Sequence, residues 1–110
     1  MTFEDLLVRY KLKPQCFSGV GDGWVFLLDK LFTDMINAGW DKELGQVKEK
    51  FGGLRVYVGE ASEEIYTLIR QAELAASYTC VNCGAPADRI TRGYWASPCC
   101  TACQQKPANE

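Results

Sequence analysis

Four cysteines fall into two pairs of equal spacing, Cys80-x2-Cys83 and Cys100-x2-Cys103, with sixteen residues between the pairs. Two residues between thiols let both sulfurs turn inward on one knuckle, where backbone amides donate to them. Two such knuckles bring four sulfurs around one ion at about 2.3 Å in a tetrahedron. Gly84 directly follows Cys83, and glycine accepts the left-handed angles that a knuckle needs. The spacing predicts one structural Zn2+ held by Cys80, Cys83, Cys100 and Cys103, with a short ribbon over Asp88 to Tyr94 in the spacer. A four-thiolate iron–sulfur cluster and a redox dithiol are the rival readings. A catalytic zinc keeps one open position, and four thiolates leave none, so the expected role is structural.

Two further cysteines complete the set of six. Cys99 could stand in for Cys100, but the spacing to Cys103 would then be three residues, and the two-residue spacing is the commoner one. Cys99 is read as packed or uncoordinated, and Cys16 as a small buried hydrophobe. Disulfides suit exported chains. Glu4 and Asp5 lie within the first apolar stretch, and no basic start, apolar core or cleavage site is visible. The expected location is therefore the cytoplasm, where thiols stay reduced. The longest apolar runs fall far short of the roughly 20 residues that a membrane helix needs, so no membrane partner is expected.

The chain of 110 residues fits one small domain, and 47% hydrophobic residues suffice for a core. Residues 1–78 read as a helical and hairpin core, 79–104 as the zinc module integrated with it, and 105–110 as a polar tail. The fold class is α+β, three helices packed on a β-hairpin with a C-terminal four-cysteine, zinc-ribbon-like module. The helices are expected over 3–12, 23–38 and 63–77. Thr2 and Asp5 form a capping box for the first, and Asp22 and Ser62 are the N-caps of the others. Gly39 stands where a glycine would stop the second helix. Residues 46–58 read as two strands around a Gly52-Gly53 turn. That places Val47, Glu49, Phe51, Leu54, Val56 and Val58 on the core face and Lys48, Lys50, Arg55 and Tyr57 on the other. Trp24, Trp40 and Trp95 are expected in the core or as half-buried anchors.

The formal net charge is -2. Residues 1–75 hold nine Lys/Arg against twelve Asp/Glu, or -3, and residues 76–110 hold three against two, or +1. A domain that lives on nucleic acid usually carries a basic excess, and neither part has a large one. There is no histidine, which removes the commonest general base, and no carboxylate or thiol is visibly paired with a base. The chain is not expected to be an enzyme. SGVGDGW superficially suggests a phosphate loop but lacks its lysine and preceding strand, and is read as a turn into the second helix. Glu60, Glu63 and Glu64 suit the positive end of the third helix. Lys48, Lys50, Arg55 and Tyr57 are the candidate partner-binding residues, against the plainer reading of a solvated strand face.

GDGW at Gly21, VKEKFGGLRVYV at Val47, AELAAS at Ala72, CVNCGAP at Cys80 and YWASPCCTAC at Tyr94 occur together in this order. The series resembles a family of small, mostly uncharacterised proteins of bacteriophages and prophage regions. In that family a GDGW helix start, a KFGGLR hairpin and a terminal zinc-ribbon-like module recur. An aliphatic residue is usual there at the position of Cys99, which favours Cys100 as the ligand. The resemblance implies action in the host cytoplasm by binding a host protein or protein complex, such as inhibition of a host defence complex in the manner of an anti-CRISPR protein. A nucleic-acid-binding zinc-ribbon module or small transcriptional regulator is the alternative. A homodimer is left open.

Overall fold

Thr2 and Asp5 hydrogen-bond each other's backbone N–H groups reciprocally and so start helix α1 (Phe3–Tyr10) as a capping box. The structure, a computed structural model, describes residues 2–87 and 98–104. Helix α1 ends two residues before the sequence suggested, because Lys11 turns into the left-handed region (φ 55°). A single 3-10 turn (Pro14–Cys16) then leads into a two-residue strand, β1 (Phe17–Ser18). A second 3-10 turn (Asp22–Trp24) feeds helix α2 (Val25–Asn37). Asp22 does not cap α2: it lies inside the preceding turn, and neither Gly21 nor Trp24 supplies a side-chain cap. Gly39 (φ 97°) ends the helix as expected. Strands β2 (Leu44–Lys50) and β3 (Gly53–Val58) follow, then helix α3 (Glu63–Ala76), whose Ile65 N–H is held by the Ser62 hydroxyl oxygen. A one-turn helix, α4 (Thr101–Gln104), follows Cys100.

The described residues form an α+β fold with three principal helices and a three-stranded mixed sheet in the order β1-β2-β3. The hairpin is antiparallel, and β1 pairs with β2 in parallel, Phe17 opposite Val47. Sequence reading did not find β1, since two residues carry no visible alternation. The turn also sits one residue earlier than expected. Phe51 (φ 53°) and Gly52 (φ 81°) are its central residues, and positive φ at both matches the right-handed twist of the strands. The Glu49 carboxylate accepts from the Gly52 N–H at 2.7 Å and fixes this turn. Lys48 therefore faces Arg55, Val47 faces Val56, and Glu49 faces Leu54. The pairing moves by two residues, so both faces keep their members. Phe51 is the exception: it stands at the tip, 48% exposed, rather than in the core.

Leu6 and Tyr10 of α1, Val25, Leu28, Phe32 and Met35 of α2, Ile65 and Ile69 of α3, and Val47, Leu54 and Val56 of the hairpin form one core with Trp24 and Trp40. The Phe32 and Trp40 rings stack at 5.6 Å. Neither tryptophan is exposed, which removes both as surface anchors; Trp95, the Asp88-to-Tyr94 ribbon and the tail at 105–110 lie outside the described residues.

Strand β3 is a sheet edge, and unpaired edge amides invite unwanted pairing. Here α3 covers it: the Glu73 carboxylate accepts from the Val56 N–H at 3.1 Å. Glu73→Ala is expected to lower unfolding free energy by about 1–2 kcal/mol in a denaturant titration, with Glu73→Gln recovering most of it through its amide oxygen. Equal stability of Glu73→Ala and the parent would contradict this role.

Candidate metal centre

The first knuckle is built as a small antiparallel turn. Cys80 N–H donates to Ala85 O at 2.8 Å, Gly84 N–H to Cys80 O at 2.9 Å, and Ala87 N–H to Tyr78 O at 2.9 Å. Gly84 takes φ 82°, the left-handed position that its place after Cys83 suggested. The second half approaches through Pro98, whose carbonyl accepts from Val81 N–H at 2.9 Å. Cys100 then precedes α4, and α4 carries Cys103.

These elements bring together the four sulfurs singled out by spacing. The Sγ atoms of Cys80, Cys83, Cys100 and Cys103 all lie within 4.8 Å of one another. The Cys83 and Cys100 sulfurs are 3.5 Å apart. A tetrahedron with metal–sulfur arms of about 2.3 Å has edges of about 3.8 Å, so the cluster is of the right size for one ion. Cys80 and Cys100 are buried, Cys103 is half-buried and Cys83 is exposed. A set of four thiolates with no carboxylate or imidazole suits a soft or borderline cation such as zinc.

Burial works against ionising Cys80, but backbone N–H groups of Cys100, Cys83 and Asn82 outweigh it and bring its pKa from 9.0 down to about 6. The backbone N–H of Cys103 lowers Cys100 as well. Cys103 goes the other way, pushed up to about 12 chiefly by the neighbouring Cys100 sulfur. Without a metal, the cluster thus shares its protons unevenly: Cys80 and Cys100 are shifted toward the anion, and Cys83 and Cys103 toward the protonated thiol. A divalent cation replaces those protons and lets every sulfur ionise.

The centre is fastened to the core by a feature whose purpose was not legible. Gly23 N–H donates to Val81 O at 2.9 Å, and the buried Trp24 indole N–H donates to Thr79 O at 3.0 Å. A β-carbon on Gly23 would stand 2.6 Å from Gly84 N, and one on Gly21 would stand 2.8 Å from Val81 Cγ2. The backbone of GDGW is therefore the seat of the first knuckle, which rests directly on it. Only the two absent side chains permit the approach. The sequence signal was present as Gly-x-Gly-Trp, but its partner lies 55 residues away.

The remaining candidates lie elsewhere. Cys16 is half-buried at the entry to β1, its Sγ 3.8 Å from Leu44 O, away from the cluster. Cys99 is half-buried at the edge of the cluster, with Asn82 Nδ2 at 3.8 Å from its sulfur. Lys48, Lys50, Arg55 and Tyr57 share the solvent face of the hairpin. The Lys48 ammonium lies 5.5 Å from the centre of the Tyr57 ring, and the Lys50 ammonium 5.6 Å from that of Phe51. The ion pairs among the described residues are Arg9–Asp29 and Lys30–Asp34. The three hairpin cations take part in neither. No helix among the described residues is long and apolar enough to cross a membrane. Comparison with family profiles, with curated proteins and with solved structures returned no match.

Gly23→Ala should cost about 2–3 kcal/mol in unfolding free energy, the scale of overpacking a close contact. Gly59→Ala, whose β-carbon meets nothing within 4 Å, should be near neutral. Similar stability for the two variants would contradict the seat.

Proposed function

We propose that Cys80, Cys83, Cys100 and Cys103 hold one structural Zn2+ and that the domain so braced is a non-catalytic binding protein. The convergence of four sulfurs within 4.8 Å carries this reading. Four thiolates fill zinc's tetrahedron, leaving no position for water or substrate, so the ion contributes folding energy rather than chemistry. The absence of histidine from the chain points the same way.

The partner is a host protein or protein complex, met in the host cytoplasm, and inhibition of host machinery such as a defence complex is the outcome. Support comes from the phage-family resemblance, from the net charge of -2, and from large apolar side chains left in solvent. Phe26 is 67% exposed on α2, and Leu74 is 65% exposed on α3. The contact surface proposed is the hairpin face of Lys48, Lys50, Arg55 and Tyr57, which suits an acidic patch on the partner. Nucleic acid is the second reading. It is favoured by three cations outside the ion pairs of the described residues, beside a Tyr57 ring that is 45% exposed and able to stack on a base.

The experiment is an affinity capture from host lysate with the zinc-loaded chain and a Lys48→Glu/Arg55→Glu variant. Elemental analysis should give one zinc per chain for both. A specific protein should be retained by the parent and lost by at least roughly tenfold with the variant, since reversing charges at a complementary interface costs several kcal/mol. Retention of one protein by both forms would place the contact elsewhere. Capture of nucleic acid alone, with affinity falling steeply in salt, would replace the first reading with the second.

A further inference from the structure

Helices α2 and α3 leave a groove of about 230 Å³ between them on the outside of the core. Leu27 and Leu31 of α2 line it from one side, and Leu68, Ala72 and Ala75 of α3 from the other. Ala72 and Ala75 carry too little side chain to fill it. Lys30 and Asp34 stand on its α2 rim and Gln71 on its α3 rim. A projecting apolar side chain stands beside each rim. Phe26, one turn before Lys30, is 67% exposed, and Leu74, three residues after Gln71, is 65% exposed. Residues three or four apart on a helix are surface neighbours, so both project next to the groove rather than away from it.

We infer that this face joins two copies of the chain as a twofold dimer, Phe26 and Leu74 of each seated against the α2–α3 groove of the other. A twofold interface uses the same patch on both subunits, so that patch must carry both the projection and the recess. This one does, whereas a groove made for a foreign segment needs no projections beside it. The charges obey the same rule. Lys30 Nζ and Asp34 Oδ2 are 2.7 Å apart, a cation and an anion one turn apart on one rim. Across a twofold axis between antiparallel α2 helices, Lys30 of each copy meets Asp34 of the other, and the two charges cancel within each copy, so no net repulsion opposes the contact.

The area suits a small stable interface. Helices of 13 and 14 residues are each about 20 Å long and pack about 10 Å apart, so their shared face is about 20 Å on a side. With the corrugation of its side chains, that approaches the roughly 600 Å² that each partner gives to such an interface. The dimer places four helices in one layer. The hairpin face of Lys48, Lys50, Arg55 and Tyr57 lies on the far side of the sheet from the helices and is presented twice.

The test is sedimentation equilibrium of the full chain with one equivalent of Zn2+ over a wide concentration series. The parent is run beside Phe26→Ala, Lys30→Asp, Asp34→Lys and an equimolar mixture of the last two. All the altered positions are on the surface, and circular dichroism checks that each variant is folded. The parent is expected to sediment as a dimer at the upper concentrations, and each single variant to associate at least roughly tenfold more weakly, since like charges or a lost apolar contact then meet across the axis. The mixture is expected to recover the parent's affinity, because one copy then carries two anions on its rim and the other two cations. A parent that is monomeric throughout would overturn the inference and leave the groove to a segment of another protein. Charge variants that associate as tightly as the parent would overturn it by placing the contact elsewhere. A mixture no tighter than either variant alone would overturn the reciprocal pairing on which it rests.

Discussion

The seating of the first cysteine knuckle on the bare backbone of Gly21 and Gly23 is the contact on which the rest depends. It joins two parts that local sequence keeps apart. On one side is the turn that carries Cys80 and Cys83, two of the four clustered sulfurs. On the other is Trp24, fully buried, at the start of the helix that runs through the core. One backbone hydrogen bond from Gly23 and one from the Trp24 indole cross the junction. Each is modest alone, about 1 kcal/mol net, but the buried Trp24 and Gly23 donors would be costly to leave unmade. The cysteine cluster is thus a part of the core's boundary rather than an appendage to it.

This arrangement explains how a small chain combines a well-made core with a cluster of thiols. Left without a cation, the sulfurs must share protons, and the depressed Cys80 and raised Cys103 express that conflict. A divalent ion held by the four thiolates would resolve it and brace the knuckle. The knuckle then holds the entry to α2, while Glu73 closes the sheet edge from α3. The outer hairpin face displays its cations and Tyr57 on a sheet closed at its β3 edge.

Much of this was legible in the sequence, and for local reasons. The four cysteines that converge are the ones their spacing singled out, because a knuckle is a local structure. Thr2, Asp5 and Ser62 cap their helices as expected, because capping is decided within three residues. The strand faces, apart from Phe51 at the turn, follow the expected alternation because it survives a shift of two. Features that depend on distant partners were not legible. Asp22 looked like a cap, but Gly23 is committed to Val81 and the helix starts later. Gly52-Gly53 looked like the turn, but the Glu49 carboxylate settles the choice in favour of Phe51-Gly52. Strand β1 exists only because β2 is there to pair with it.

On the reading proposed above, a metal held by four thiols keeps the knuckle pressed on the core. Hydrogen exchange of the Gly23 amide and the Trp24 indole N–H, followed by NMR in zinc-loaded protein and again after complete chelation, tests it most directly. The expected result is strong protection of both protons with zinc and loss of that protection without it. Undiminished protection of both in metal-free protein would contradict the claim.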